Sequence, residues 1–136
     1  MTQEEKELLI KDLCARLPYG VKMSVNDNVE VLQGINIVDN IVEYSSFLAS
    51  EIEDCKPYLF PLSSMTEEQL FEVQEILGKN EIKIEDGFIH IVDSERNTIS
   101  YLEILALLEW FYKNHFDVNN LIHKKLAVNA TGLNIY

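Results

Sequence analysis

A chain of 136 residues with 47% apolar and 25% charged residues is long enough to bury a core of its own and too hydrophobic to stay disordered. A formal charge of −12, with Lys124 and Lys125 the only adjacent basic pair, argues against direct binding to a phosphate backbone, and two cysteines, Cys14 and Cys55, are too few for a disulfide framework or a thiolate zinc site. The acidic start Met-Thr-Gln-Glu-Glu-Lys-Glu lacks the features of a signal peptide, and the longest apolar stretch, Ile99 to Tyr112, falls short of the ~20 residues that span a bilayer, so a cytoplasmic protein without membrane association is expected.

Three helix starts are marked by a Ser or Thr followed three residues later by Glu or Gln: Thr2/Glu5, Thr66/Gln69 and Ser100/Glu103. The first opens a helix from Gln3 to Leu17, with Leu9, Ile10, Leu13, Cys14 and Leu17 inward, Asp12 elsewhere, and Pro18 and Gly20 as the stop. Alternation at Val21, Met23 and Val25, then Asn26-Asp27-Asn28, predicts a hairpin into the run from Val29. A second hairpin with Asp39-Asn40 as a two-residue turn would set Ile37 against Val42 and Ile35 against Tyr44, and Gly34 marks a bulge or bend. So bent a meander suggests a small, open, SH3-like barrel.

Lys56 to Leu62 contains two prolines and reads as an extended seam, dividing a single domain into a helix-and-meander lobe (1–56) and a helix-hairpin-helices lobe (66–136) joined by 57–65. The second lobe opens with a helix from Glu67 to Leu77, with Leu70, Val73, Ile76 and Leu77 inward and Met65 stapled to Leu70. Gly78 is its cap. A hairpin over Glu81 to Val92 follows, with Asp86-Gly87 as a type I′ turn and Ile82, Ile84, Ile89 and Ile91 on one face. The helix from Tyr101 to Asn114, stapled by Ile99 and Ile104, is apolar almost all round and is expected at the centre of the core; Asp117 should cap a short last helix to Lys125. The class is α+β.

Chemical motifs are sparse. Each glycine has a turn, cap, bend or tail position, so no phosphate-cradling loop is expected. Ser63-Ser64 lacks the glycines of a nucleophile elbow, and Cys14 belongs to an apolar helix face. His90, His115 and His123 match no zinc spacing, and neither Glu51-Ile-Glu53-Asp54 nor Glu67-Glu68 has the spacing of a calcium loop. No metal or cofactor is expected. Cys55, His115 and the 51–54 acids remain the nominal residues of an unrecognised hydrolase. Lys56, Tyr58 and Phe60, on the proline-rigid strip, form the expected interaction surface, because preorganised aromatics make good anchors.

The segments Asp12-Leu-Cys-Ala-Arg-Leu-Pro-Tyr-Gly20, Lys56-Pro-Tyr-Leu-Phe-Pro-Leu-Ser-Ser-Met-Thr-Glu-Glu68 and Trp110-Phe-Tyr-Lys-Asn-His-Phe-Asp117, with Leu121-Ile122 and Leu126-Ala127, resemble a family of small acidic proteins of gut bacteria and their phages and mobile elements. That family has no assigned function, so the resemblance implies a mobile-element accessory protein and transfers no site. The resulting expectation is a non-enzymatic module that binds an unidentified protein partner. An acidic anti-defence mimic of DNA and a small hydrolase are the alternatives.

Overall fold

The computed structural model describes residues 1–78, 80–86, 88–92 and 100–136. Gly87 of the expected hairpin turn and Ile99 of the expected staple lie outside them. The fold is α+β, in the order α1 (Gln3–Arg16), β1 (Lys22–Val25), β2 (Asn28–Asn36), β3 (Ile41–Tyr44), β4 (Ala49–Glu51), β5 (Cys55–Leu59), α2 (Glu67–Leu77), β6 (Glu81–Glu85), β7 (Phe88–Val92), α3 (Tyr101–Lys113) and β8 (Val128–Asn129).

All three capping hydroxyls accept the N–H three residues on, and Thr66/Gln69 makes the reciprocal bond as well. The buried side of α1 is turned from the expected one. Leu9 and Leu13 are fully buried, but so are Asp12 and Arg16, whereas Ile10, Cys14 and Leu17 are only half-buried. An i, i+4 ion pair allows this: Arg16 Nε donates to Asp12 Oδ2 at 2.6 Å, and Arg16 Nη2 reaches both Asp12 Oδ1 and the Phe116 carbonyl. Asn119 Nδ2 adds a donor to Asp12 at 2.9 Å, so the buried carboxylate has its acceptor sites used.

The strands β4-β3-β2-β1-β5-β8 form one sheet, antiparallel except for β5 beside β8; no pairing joins β4 to β8 among the described residues, so the barrel is not closed. Gly34 lies at the expected bulge, where Gln33 is the extra residue between the pairs Leu32–Tyr44 and Gly34–Glu43. The second hairpin departs from its expected register: Ile35 faces Val42 and Asn36 faces Ile41. Its turn is longer, because Asn36 Oδ1 accepts from the N–H groups of Val38 and Asp39 and so closes a four-residue loop. Ile37 is left exposed in that loop.

The proline segment takes part in the sheet. Strand β5 pairs with β1 on one side and β8 on the other, and the pairing extends through Phe60, whose N–H donates to His115 O and whose carbonyl accepts from Asp117 N–H. One apolar cluster lies between α1 and the meander and is completed by Leu121, Leu126 and Ala127. A second holds Leu62, Val73, Leu77, Leu107, Phe111 and Phe116, with the four hairpin isoleucines packed against it in the expected register.

Two expectations for the C-terminal region need correction. Helix α3 buries only Leu107 and Phe111, while Tyr101, Leu102, Ile104, Leu105 and Leu108 are exposed, so its all-round hydrophobicity does not reflect a central position. Residues 117–127 form turns instead of a last helix. Asp117 does accept from the Leu121 and Ile122 N–H groups, but Asn120 and Lys125 both take positive φ, which prevents the helical run from propagating.

Candidate functional site

The sheet spends most of the expected proline strip on structure. Lys56 is exposed and Pro57 buried, whereas Tyr58 and Phe60 are half-buried. The Tyr58 carbonyl accepts from the Tyr136 hydroxyl at 2.8 Å, and the Phe60 ring packs against Phe116 and Tyr136 at centroid distances of 6.1 and 5.8 Å. Two grooves flank the strip's end. One of about 210 Å³ runs past Phe60, Ser64 and Thr66, and one of about 250 Å³ past Pro61, Ser63, Asp117 and His123. The second brings together the residue types of a nucleophilic triad, but both Asp117 oxygens serve the backbone turn at 2.8 and 2.9 Å. That carboxylate shapes a loop and does not orient an imidazole.

The nominal hydrolytic residues do not converge on these grooves. Cys55 is buried under the sheet, its thiol pushed up mainly by burial, and its Sγ faces the Ile52 carbonyl at 3.6 Å. A raised thiol is a poor nucleophile. Glu53 pairs with Lys6, which holds its carboxyl below the usual range. His115 lies across the sheet's other end, stacked on Tyr136 at 3.8 Å.

Burial, with the charges of Arg16 and Lys22 nearby, pushes the His115 imidazole down to about 4. In the unfolded chain it would titrate near ~6.5. A depressed folded value means that stability present above that pH is lost as pH falls from about 6.5 toward 4. Urea denaturation should therefore show a loss on the order of 1 kcal/mol between about pH 7 and pH 5. His115→Asn, which suits the φ of +63 at this position, should remove that part of the pH dependence.

A different part of the molecule carries what folding alone does not explain. The β3–β4 hairpin closes through Ser45-Ser46-Phe47, with Phe47 N–H donating to Tyr44 O and Tyr44 N–H to Leu48 O, both at 3.0 Å. In this loop the last residue must be left-handed, a position usually held by glycine. Phe47 holds it with φ +69, and its side chain is 95% exposed. A bulky side chain at positive φ costs about 1–2 kcal/mol, and among the described residues little packs on the ring to offset it. Leu48 beside it is also exposed.

The loop is held firmly in place. Ser45 N–H donates to Val31 O at 2.9 Å and Ser46 Oγ to Glu30 Oε2 at 2.7 Å, which fixes the tip against β2. A groove of about 420 Å³ lies next to Phe47, lined by Gln33, Glu43, Tyr44, Leu48 and Ala49. Gly34 matters here, because a Cβ at that position would come within 3.0 Å of Glu43 Oε2. The bulge glycine thus lets the Glu43 side chain lie over the backbone at the groove's wall. Together these residues make an aromatic knob beside a hole with an acidic wall.

The sequence names Gly34 as a bend but gives Phe47 no role. Its signal is a bulky aromatic after Ser45-Ser46 in a hairpin loop short enough to demand positive φ, and that demand depends on a register the sequence leaves open. No family model matches the chain, and no curated protein or solved structure matches it either.

Proposed function

We propose that this chain is a non-enzymatic protein-interaction module that engages its partner through the Phe47 tip. The observation that carries the reading is Phe47 itself, an aromatic ring held in solvent at a conformational cost in a loop otherwise well anchored. Strained, exposed residues of this kind persist where function requires them. The resemblance to mobile-element proteins supports an accessory role in a phage or other mobile element, and partner binding is the form that role takes.

The chemistry of the surface defines the partner. Glu30 and Glu43 stand beside the knob, and residues 21–56 hold seven acids against two lysines. The complementary surface is an apolar pocket for Phe47, with a Lys or Arg placed to enter the groove beside Glu43. Lys56, Tyr58 and Phe60 form the second surface to compare, with Lys56 its most accessible member.

Affinity capture from the organism that encodes the chain tests the reading with three baits: wild type, Phe47→Gly and Tyr58→Ala. A partner held by wild type and Tyr58→Ala, and reduced at least about tenfold by Phe47→Gly, is the expected result. A partner equally retained by Phe47→Gly and lost with Tyr58→Ala would move the site to the strip.

A further inference from the structure

The ladder between β1 and β5 is interrupted by the side chain of Tyr136. The pairs Ser24–Lys56 and Met23–Pro57, continued by one step, would set Lys22 against Tyr58 with a direct bond between their backbones. The Tyr136 hydroxyl stands there instead, accepting from the Lys22 N–H at 2.9 Å and donating to the Tyr58 carbonyl at 2.8 Å. Burial pushes this phenol up to about 12, so it keeps the proton it donates. Its ring lies on the His115 imidazole at 3.8 Å and against the Phe60 ring at 5.8 Å, and Lys22 Nζ donates to the Ile135 carbonyl at 2.6 Å.

The segment that delivers Tyr136 is lightly attached. Residues 131–134 are exposed, and Gly132 and Asn134 both take positive φ, +78 and +52. Among the described residues, the hydrogen bonds that tie 134–136 to the sheet are the three made with Lys22 and Tyr58. A segment with so little buried apolar surface opens at a lower cost than the core. The hinge lies beyond Ala130, because the Ala130 N–H is itself fixed to the Leu59 carbonyl at 2.8 Å.

From this geometry we infer that residues 131–136 form a latch over the proline strip: Tyr136 seats in a phenol slot between β1 and β5 and masks the Phe60 ring, and its release opens that surface while the domain stays folded. The slot is built for tyrosine. Phenylalanine would fill the space beside His115 and Phe60, but it could not bridge Lys22 N–H to the Tyr58 carbonyl, and an unbridged pair of backbone groups weakens the closed state. Access to Phe60 is therefore gated by the chain itself, and the gate is independent of the Phe47 tip.

Native-state hydrogen exchange in increasing urea reads this on the wild-type protein. The Lys22 amide, whose acceptor is the Tyr136 hydroxyl, should exchange at least about a hundredfold faster than the Leu32 amide, which donates to Val21 O in the core, and with little dependence on urea. Tyr136→Phe should speed the Lys22 amide by about a further tenfold and leave the Leu32 amide unchanged. In Tyr136→Ala, hydroxyl-radical oxidation of Phe60 should rise severalfold with the circular dichroism of wild type retained. Lys22 and Leu32 amides that merge at every urea concentration would mean that Tyr136 leaves only when the domain unfolds, and unchanged oxidation of Phe60 in a folded Tyr136→Ala would mean that it masks nothing. Either result overturns the inference.

Discussion

Arg16→Ala is expected to cost about 3–5 kcal/mol of folding stability, measured by urea denaturation followed through the single tryptophan, Trp110. The side chain is completely buried, and its guanidinium ties three parts of the fold together. It forks onto Asp12 in α1, donates to the Phe116 carbonyl at 2.7 Å, and lies over the Tyr112 ring at 4.9 Å. Without it the Asp12 carboxylate is buried with Asn119 as its one remaining side-chain donor among the described residues, which is where most of the loss arises. An Asp12→Leu, Arg16→Met double variant should recover much of that loss, since an apolar pair of similar volume carries no desolvation penalty. If the double variant is as unstable as Arg16→Ala, the uncompensated charge is not the cause.

Phe116→Ala should be comparably damaging, at about 3–5 kcal/mol, for a different reason. Its ring stacks on Trp110 at 5.7 Å and meets Phe111 edge-on at 6.1 Å, so truncation leaves a cavity where the second cluster meets the end of the proline strip. Either loss is a large share of the ~5–15 kcal/mol that holds a typical domain folded. Phe116→Leu, which fills most of the space, should cost far less, and equal destabilisation by Leu and Ala would argue against cavity formation.

The helix starts and the 81–92 hairpin were legible in the sequence because their signals are local: a hydroxyl three residues before a Glu or Gln, and alternating isoleucines around Asp-Gly. The features that failed depend on tertiary context. Asp12 and Arg16 look like solvent-facing charges until Phe116 and Asn119, about a hundred positions away, supply their partners. Helix α3 has the composition of a core helix, yet composition does not say how much protein is available to cover it. The 35–44 hairpin slipped because Asn36 Oδ1 captured two backbone N–H groups and lengthened the turn. Phe47 was invisible for the same reason, since its strain follows from loop length and register rather than from residue type.

Phe47→Gly, assayed in parallel for stability and for partner capture, separates the cost of the exposed ring from its use. The ring is almost wholly exposed, so its removal forfeits no packing, and glycine relieves the positive φ at a smaller cost in unfolded-state entropy. A gain of about 0.5–1 kcal/mol in urea denaturation together with loss of the partner is the expected result. A variant that is no more stable than wild type and captures the partner equally well would contradict a binding role for Phe47.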